Sequence, residues 1–339
     1  MKKYLLPSGV RFYKANLHTH TTVSDGKRTP EEIKELYKSH GYSVVAYTDH
    51  DVMVPHNELS DADFLALVGV EFQINEFNSY PGRPGARTCH ICFIAPTEDA
   101  LQPLYNPKYI YVKNTSEYAH LVPHDEGAPL YERDYSVEGI SDIVRIMREA
   151  GFFVTYNHPA WSLEGYPQYT GYRGFSAMEI YNHGAAVLGY ESYAATVYDE
   201  MLRTGERLFT VAADDCHVKA LPGEPGCDCF GGFVMIGAEE LSYKAITEAL
   251  HRGDFYASRG PIIEELYVED GEVHIKTSDA ASISYSTDTR VAKFASAGDG
   301  KLINEASFKI GDREKYFRLT VTDEYGKTAH TNAYFKEGL

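Results

Sequence analysis

Short apolar runs rich in β-branched and aromatic residues alternate with amphipathic stretches between residue 10 and about residue 250. The runs at 11–17, 44–48, 66–70, 90–95, 152–156, 176–180, 208–213 and 232–236 predict strands. Helices are expected between several of them. The best marked begins at Thr29-Pro30-Glu31-Glu32, where threonine can cap and proline suits the first helical position. Glu32 stands three residues past the cap. Ile33, Leu36 and Tyr37 then supply one apolar stripe. Further helices are predicted at 137–150, 186–204 and 243–252. Alternation at this spacing predicts a mainly parallel sheet, and this many units favour a barrel over an open sheet.

Two segments depart from this rhythm. Residues 96–135 are polar, proline-containing and tyrosine-rich, with no clear period. A segment of that kind is usually functional or mobile. It reads as an insertion near the mouth of a site, with a plain surface excursion as the other reading. After Arg259-Gly260-Pro261 the helical patterns stop. Alternating runs such as Glu272-Val273-His274-Ile275-Lys276 and Tyr316-Phe317-Arg318-Leu319-Thr320-Val321 follow, separated by glycine turns. Two units are therefore expected: a barrel over 1–260 and a small antiparallel, sandwich-like β domain over 261–339.

Composition narrows the function. Hydrophobic residues make up 43% of the 339, enough for a sizeable core and too many for a disordered chain. The formal net charge of −17 argues against long nucleic acid as a partner. A small phosphorylated substrate stays open, because bound cations reverse the field locally. The five cysteines are odd in number and form no framework, which suits reduced thiols in a cytoplasmic protein. The first ten residues lack the apolar segment of a signal peptide. No run approaches the ~18 apolar residues of a membrane span. The sequence specifies no oligomeric state.

The chemistry sits where strands are predicted to end. His18-Thr19-His20 closes the first strand, and an extended chain turns both imidazoles to one side. Asp25 follows in the turn Val23-Ser24-Asp25-Gly26. Thr48-Asp49-His50 closes the second strand and Glu71 the third. His158 precedes Pro159, which disfavours a helix there, and Asp215-Cys216-His217 repeats the two-apart spacing. In a parallel α/β barrel all strand C-termini open on one face, so these residues converge. Nitrogen and carboxylate donors in this mix suit zinc, manganese or iron(II), with magnesium also open, rather than calcium. Any one of these histidines alone reads as an ordinary hydrogen-bonded side chain.

In this order the motifs resemble the PHP (polymerase and histidinol phosphatase) superfamily of metal-dependent phosphoesterases, over roughly residues 10–260. The resemblance implies a distorted TIM-like barrel of seven strands, one fewer than the eight candidates. It also implies two or three divalent ions. His18, His20, Glu71 and Asp215 would hold the first. Glu71 would bridge to a second, held also by His90 and His158. Asp25, His50 and His217 would hold a third. His90 enters through the resemblance alone, since it opens an apolar run. Asp25 stands where some members have histidine; a carboxylate is harder and anionic, which favours manganese or magnesium at that ion or leaves it weakly filled. The β tail, with Arg318-Leu319-Thr320-Val321-Thr322-Asp323 and Lys327-Thr328-Ala329-His330-Thr331-Asn332, resembles the CehA/McbA-like branch, whose members are often named for carbamate or amide hydrolysis.

The expected activity is hydrolysis of a small phosphomonoester or short phosphodiester by a metal-bound hydroxide. Asp25, Glu71 and His217 are read as catalytic as well as metal-binding. Against −3 from the three carboxylates, three divalent ions would leave a site of about +3, suited to an anionic ester. The alternatives are an amide or carbamate hydrolase on the same ions and a non-catalytic metal-binding scaffold. His183 and Arg259 are candidates for substrate contact, His120 and His124 for capping the pocket. Asp49 is a candidate partner for a ligand histidine. Tyrosines of the insertion are candidates for stacking on a sugar or base.

Overall fold

Capping and patterning build the elements much as expected. The computed structural model describes residues 2–77, 86–110, 112 and 114–339, so positions 111 and 113 of the insertion lie outside the described residues. Strands β1 (Lys3–Tyr4), β2 (Arg11–Asn16), β3 (Val44–Tyr47), β4 (Leu65–Asn75), β5 (Thr88–Ile94), β6 (Phe153–Tyr156), β7 (Ala177–Asn182), β8 (Phe209–Ala213), β9 (Phe233–Ala238) and β10 (Phe255–Ser258) come first. Helices α1 (Pro30–Lys38), α2 (Thr115–Tyr118), α3 (Val137–Glu149), α4 (Tyr166–Tyr169), α5 (His183–Val187), α6 (Ala195–Arg203) and α7 (Tyr243–Arg252) lie between them. Thr29 and Glu32 form the reciprocal capping box at the start of α1.

All eight candidate strands are present, as β2 to β9. The eighth, β9, runs antiparallel to β2. Strands β2–β3–β4 and β6–β7–β8 are parallel runs, whereas β5 is antiparallel to both β4 and β6. The ends of β2 and β8 meet through a parallel bridge between Thr19 and Cys216, with His20 N–H donating to Cys216 C=O at 2.9 Å. The strand ends that carry the histidines thus gather at one rim.

The helix expected over 186–204 is two helices, α5 and α6. Gly189 takes a left-handed φ of 87°, and Tyr193 then bridges Tyr181 of β7. The chain returns to the end of β7, and backbone pairing there outcompetes one long helix. Strand β4 is longer than its apolar run. All of its 11 residues are buried, with Phe72 and Ile74 in the main core and Glu71, Gln73 and Asn75 on the other face. Here the polar face of an alternating strand points at a site rather than at solvent.

From Ile263 onward the chain is β apart from a closing 3₁₀ turn at Lys336–Gly338: β11 (Ile263–Glu269), β12 (Glu272–Ala280), β13 (Ser282–Thr287), β14 (Ala292–Ala295), β15 (Ile303–Lys309), β16 (Tyr316–Thr322), β17 (Thr328–His330) and β18 (Tyr334–Phe335). A four-stranded sheet β1–β11–β12–β15 shares one apolar core with β13, β16 and β17, including Leu266, Ile275, Phe308, Ile283 and Leu319. The chain's first strand therefore sits among its last. Pairing of β17 with β10 makes the second layer continuous with the main sheet.

The insertion is folded against the site loops. Arg133 is buried and donates to Asp51 and, at 2.9 Å, to Gln73 C=O. Its guanidinium lies over the rings of Phe72 and Tyr109. Val122 packs with Val23, Val52 and Val54. Asp51 is the residue after His50, so the insertion is fixed next to a candidate ligand.

Candidate metal centre

The nine predicted ligands lie together. Glu71 is at the middle, 1% exposed. Its Oε1 is 3.1 Å from His18 Nε2, 3.1 Å from His90 Nδ1 and 3.3 Å from His158 Nε2. Its Oε2 is 3.1 Å from His50 Nδ1 and 3.3 Å from His20 Nε2. Asp215 Oδ1 is 3.1 Å from His20 Nε2 and 3.3 Å from His18 Nε2. Asp25, the most exposed member, places Oδ1 3.3 Å from His217 Nε2 and 3.8 Å from His50 Nε2.

Among the described residues, four sets of donor atoms converge closely enough to share an ion: His20, Asp25, His50 and His217; His18, His158 and Asp215; His50, Glu71 and His90; His18, Glu71 and Cys92. The first contains the Asp25–His50–His217 trio implied by the resemblance, with His20 added. His90, which had no strand-end argument, is placed by register. It lies opposite Gln73 on β5, on the same inward face as Glu71.

Local backbone explains the convergence. His18 and His20 flank Thr19, whose N–H donates to Thr48 Oγ1 at 2.9 Å while the imidazoles face the site. Asp51, His158 and Asp215 adopt positive φ of 61°, 22° and 51°, a conformation that costs non-glycine residues roughly 1–3 kcal/mol each. Hydrogen bonds hold it: His158 N–H donates to Glu179 Oε2 at 3.0 Å, and Asp51 N–H to Glu71 C=O at 2.8 Å. Gly26 allows the Asp25 turn, since a Cβ there would lie 2.5 Å from His20 O. Asp49 accepts from Thr21 N, Thr21 Oγ1, Ser24 N and Ser24 Oγ, shaping the loop that leads to Asp25. Its effect on a ligand histidine runs through Ser24 Oγ, 3.4 Å from His20 Nδ1.

Electrostatics and orphaned atoms fit cations. Burial alone lowers the basicity of His18 and His20. The carboxylates, Asp215 first, outweigh it and raise both well above the ordinary value. Burial and then the charge of His20 push His50 down to about 3. Burial favours the neutral form of Glu71, but His18, His90 and His50 hold it well below the usual carboxylate range. Protons cannot satisfy every ring in so crowded a cluster. Asp25 Oδ1, His50 Nδ1 and His90 Nε2 are buried without a hydrogen-bond partner among the described residues. Divalent ions, which need lone pairs pointing at one another, match this donor set.

No protein-family model and no curated protein matches the chain. Among solved structures, it is similar to a two-domain protein from Bacteroides vulgatus described as containing a predicted PHP-like metal-dependent phosphoesterase. The match covers 98% of both chains at 16% identity and TM-score 0.43. A protein from Bifidobacterium adolescentis, provisionally described as a metal-dependent phosphoesterase, matches 65% of this chain and 92% of its own at 14% identity and TM-score 0.38. An amidohydrolase from Chromobacterium violaceum, solved with sulfate and no metal, matches 62% of this chain and 89% of its own at 19% identity and TM-score 0.39. The assignment of the site rests on its own residues.

The cluster floors a cavity of about 280 Å³. Asp25, His50, Glu71, His90, His158, Asp215 and His217 face into it, and Val112, Trp161, Val187 and Leu188 form an apolar wall. Trp161, the chain's single tryptophan, stands edge-on to His90 and His158 with ring centroids 5.0 Å away. Lys219 and Asp228 are at the same cavity. Lys219 has no ion-pair partner among the described residues.

The substrate candidates lie elsewhere. His183 Nδ1 is 2.8 Å from Tyr181 Oη, and Arg259 stacks over the same tyrosine ring, 4.1 Å from its centroid. Neither lines the cavity; the neighbours Gly184 and Ala185 do. His124 stacks on Tyr105, and neither His120 nor His124 reaches the cavity. Among described insertion residues Val112 alone is in the wall. The tyrosines 105, 109, 131 and 135 pack or bond within the fold and do not line the cavity.

Several site residues went unread in the sequence. Glu179, 1% exposed, accepts from His18 Nδ1 at 2.7 Å and from Asn182 Nδ2 at 2.8 Å. It thereby fixes the ring that presents Nε2 to Glu71 and Asp215. Asn182 Nδ2 also reaches Asp215 Oδ2 at 3.2 Å, and Asn157 Nδ2 reaches Glu71 Oε1 at 2.8 Å. The available signal was a lone carboxylate inside the apolar run Ala177–Asn182.

Proposed function

We propose that this chain is a PHP-type metal-dependent phosphoesterase acting on a small phosphomonoester or short phosphodiester. Strands β2–β8 form its distorted seven-stranded barrel over 1–260, and the β-sandwich-like unit over 261–339, which also takes in strand β1, is an appended domain. The observation that carries the reading is Glu71, one carboxylate with five imidazole nitrogens within 3.1–3.3 Å at the floor of a cavity.

His18, His20, Glu71 and Asp215 would hold one ion, Glu71 with His90 and His158 a second, and Asp25, His50 and His217 a third, more exposed one. Zinc, manganese or iron(II) suits these donors. When bound, such ions supply an activated water and neutralise the leaving oxygen in an in-line displacement.

The chain's own residues define the substrate. A cavity of about 280 Å³ admits a small ester and excludes a duplex, in keeping with a net charge of −17. The Lys219 ammonium is available to a non-bridging phosphate oxygen. Val112, Trp161, Val187 and Leu188 exclude water and seat an apolar leaving group. Five unpaired cysteines suit a reducing cytoplasm, and no helix among the described residues is long and apolar enough to cross a membrane.

The test is release of p-nitrophenol from p-nitrophenyl phosphate after reconstitution with manganese. Turnover abolished by a chelator and restored by metal is the expected result. Metal-loaded protein that leaves phosphomonoesters and phosphodiesters intact but cleaves a carbamate or anilide would replace the phosphoesterase reading with the amidase one.

A further inference from the structure

We propose that Cys92 is a sulfur ligand of the innermost ion, bound together with His18 and Glu71. The inference rests on the metal reading above. It adds a donor of a different chemical kind and with it a metal preference.

Strand register places the thiol. Glu71 and Cys92 are direct partners on the antiparallel pair β4–β5, so their side chains project from the same face of the sheet. Two residues along β5, the same face carries His90, whose Nε2 is buried without a hydrogen-bond partner among the described residues. Cys92 Sγ, a His18 ring nitrogen and a Glu71 oxygen all lie within 4.8 Å of one another. Cys89, by contrast, pairs with Ile74 and belongs to the main core.

The hydrogen bonding suits a sulfur that accepts rather than donates. Asn157 Nδ2 donates to Cys92 Sγ at 3.1 Å and to Glu71 Oε1 at 2.8 Å. One neutral amide thus faces two donor atoms that would both be anionic in a metal complex. Asn157 Oδ1 has no partner among the described residues, so it does not take a thiol proton. Cys92 is 1% exposed and absent from the cavity wall. It meets the ion from beneath, on the side away from substrate. On ligation the S–H bond is exchanged for a sulfur–metal bond and the proton leaves to solvent.

A thiolate is soft. It favours zinc, iron(II) or cobalt(II) over manganese and magnesium at this one position, while Asp25 keeps the outer position hard. The two ends of the cluster would then select different ions.

The test is cobalt(II) reconstitution of the full chain, followed by absorption. Wild type is expected to show visible ligand-field bands together with near-ultraviolet sulfur-to-cobalt charge transfer. Cys92→Ser should lose the charge transfer, keep the ligand-field bands, and lose roughly tenfold of its preference for zinc over manganese. Near-ultraviolet charge transfer that survives in Cys92→Ser would assign it to another cysteine and overturn the proposal. So would bound cobalt with ligand-field bands and no charge transfer in wild type. Failure to take up cobalt at all would remove the metal reading itself, and this inference with it. Circular dichroism and melting of Cys92→Ser show that the fold is intact.

Discussion

Glu71 and Glu164 are both buried carboxyls of one fold, and they face opposite ways chemically. Glu71 is ringed by five imidazole nitrogens and held well below the ordinary carboxylate range. Glu164 accepts from the phenols of Tyr135 at 2.8 Å and Tyr156 at 2.7 Å, and from Tyr172. Burial dominates there, and its pKa is raised in spite of those bonds. Lone pairs that can bind a cation make a buried carboxyl a ligand; neutral O–H donors make it a fastener. The two sites are linked, because the turn from His158 to Glu164 carries Trp161 into the cavity wall and is pinned at its far end by the tyrosines.

The comparison breaks most visibly at Glu71. Glu71→Ala should strip metal and hydrolysis together, with a loss of activity beyond the roughly 100-fold that changes behind the ligands cost. Metal analysis and turnover on one preparation check this, and retained activity would sink the shared role of that carboxylate. Glu164→Ala should do the reverse. The buried phenols of Tyr156 and Tyr172 lose their acceptor at ~1–3 kcal/mol each, and half-buried Tyr135 loses less, so denaturant unfolding should show several kcal/mol lost, with metal content per folded chain unchanged. Glu179→Gln falls between the two. It keeps the shape but weakens the hold on His18 Nδ1, and competition with a chelator should report metal affinity down by about 10–100-fold.

The smallest effect concerns an imidazole rather than a carboxyl. His330 is buried, and burial, then Arg318 and Arg259, push it down to about 3. A depressed folded value means that the unfolded chain binds the extra proton. Stability from neutral His330 is therefore fully present above about pH 6.5 and is lost as pH falls toward 3. His330→Asn should flatten that part of the melting-temperature profile, and an unchanged acid limb would show that His330 does not set it.

The sequence makes the ligands legible for a physical reason. His18, His20, His50, His158 and Asp215 follow apolar runs, so the break from apolar to polar coincides with the rim of the sheet. Glu179 and Cys92 sit inside strands, on an inward face that is polar only because it surrounds the cluster. A half-buried alternation looks the same whether its polar face meets water or metal. The division of 186–204 was hidden for a different reason. Helical periodicity is local, whereas the Tyr181–Tyr193 bridge depends on a strand at sequence distance. His183 follows a strand and Arg259 stands at the junction before Gly260-Pro261, which makes both candidates for substrate contact, but in the fold Tyr181 takes up both.

The most direct test of the account is elemental analysis of chelator-stripped protein reconstituted with manganese or zinc, beside Glu71→Ala treated identically. The account predicts at least two ions per wild-type chain and a clear deficit in the variant. Wild type that binds none, with its fold intact, would contradict it.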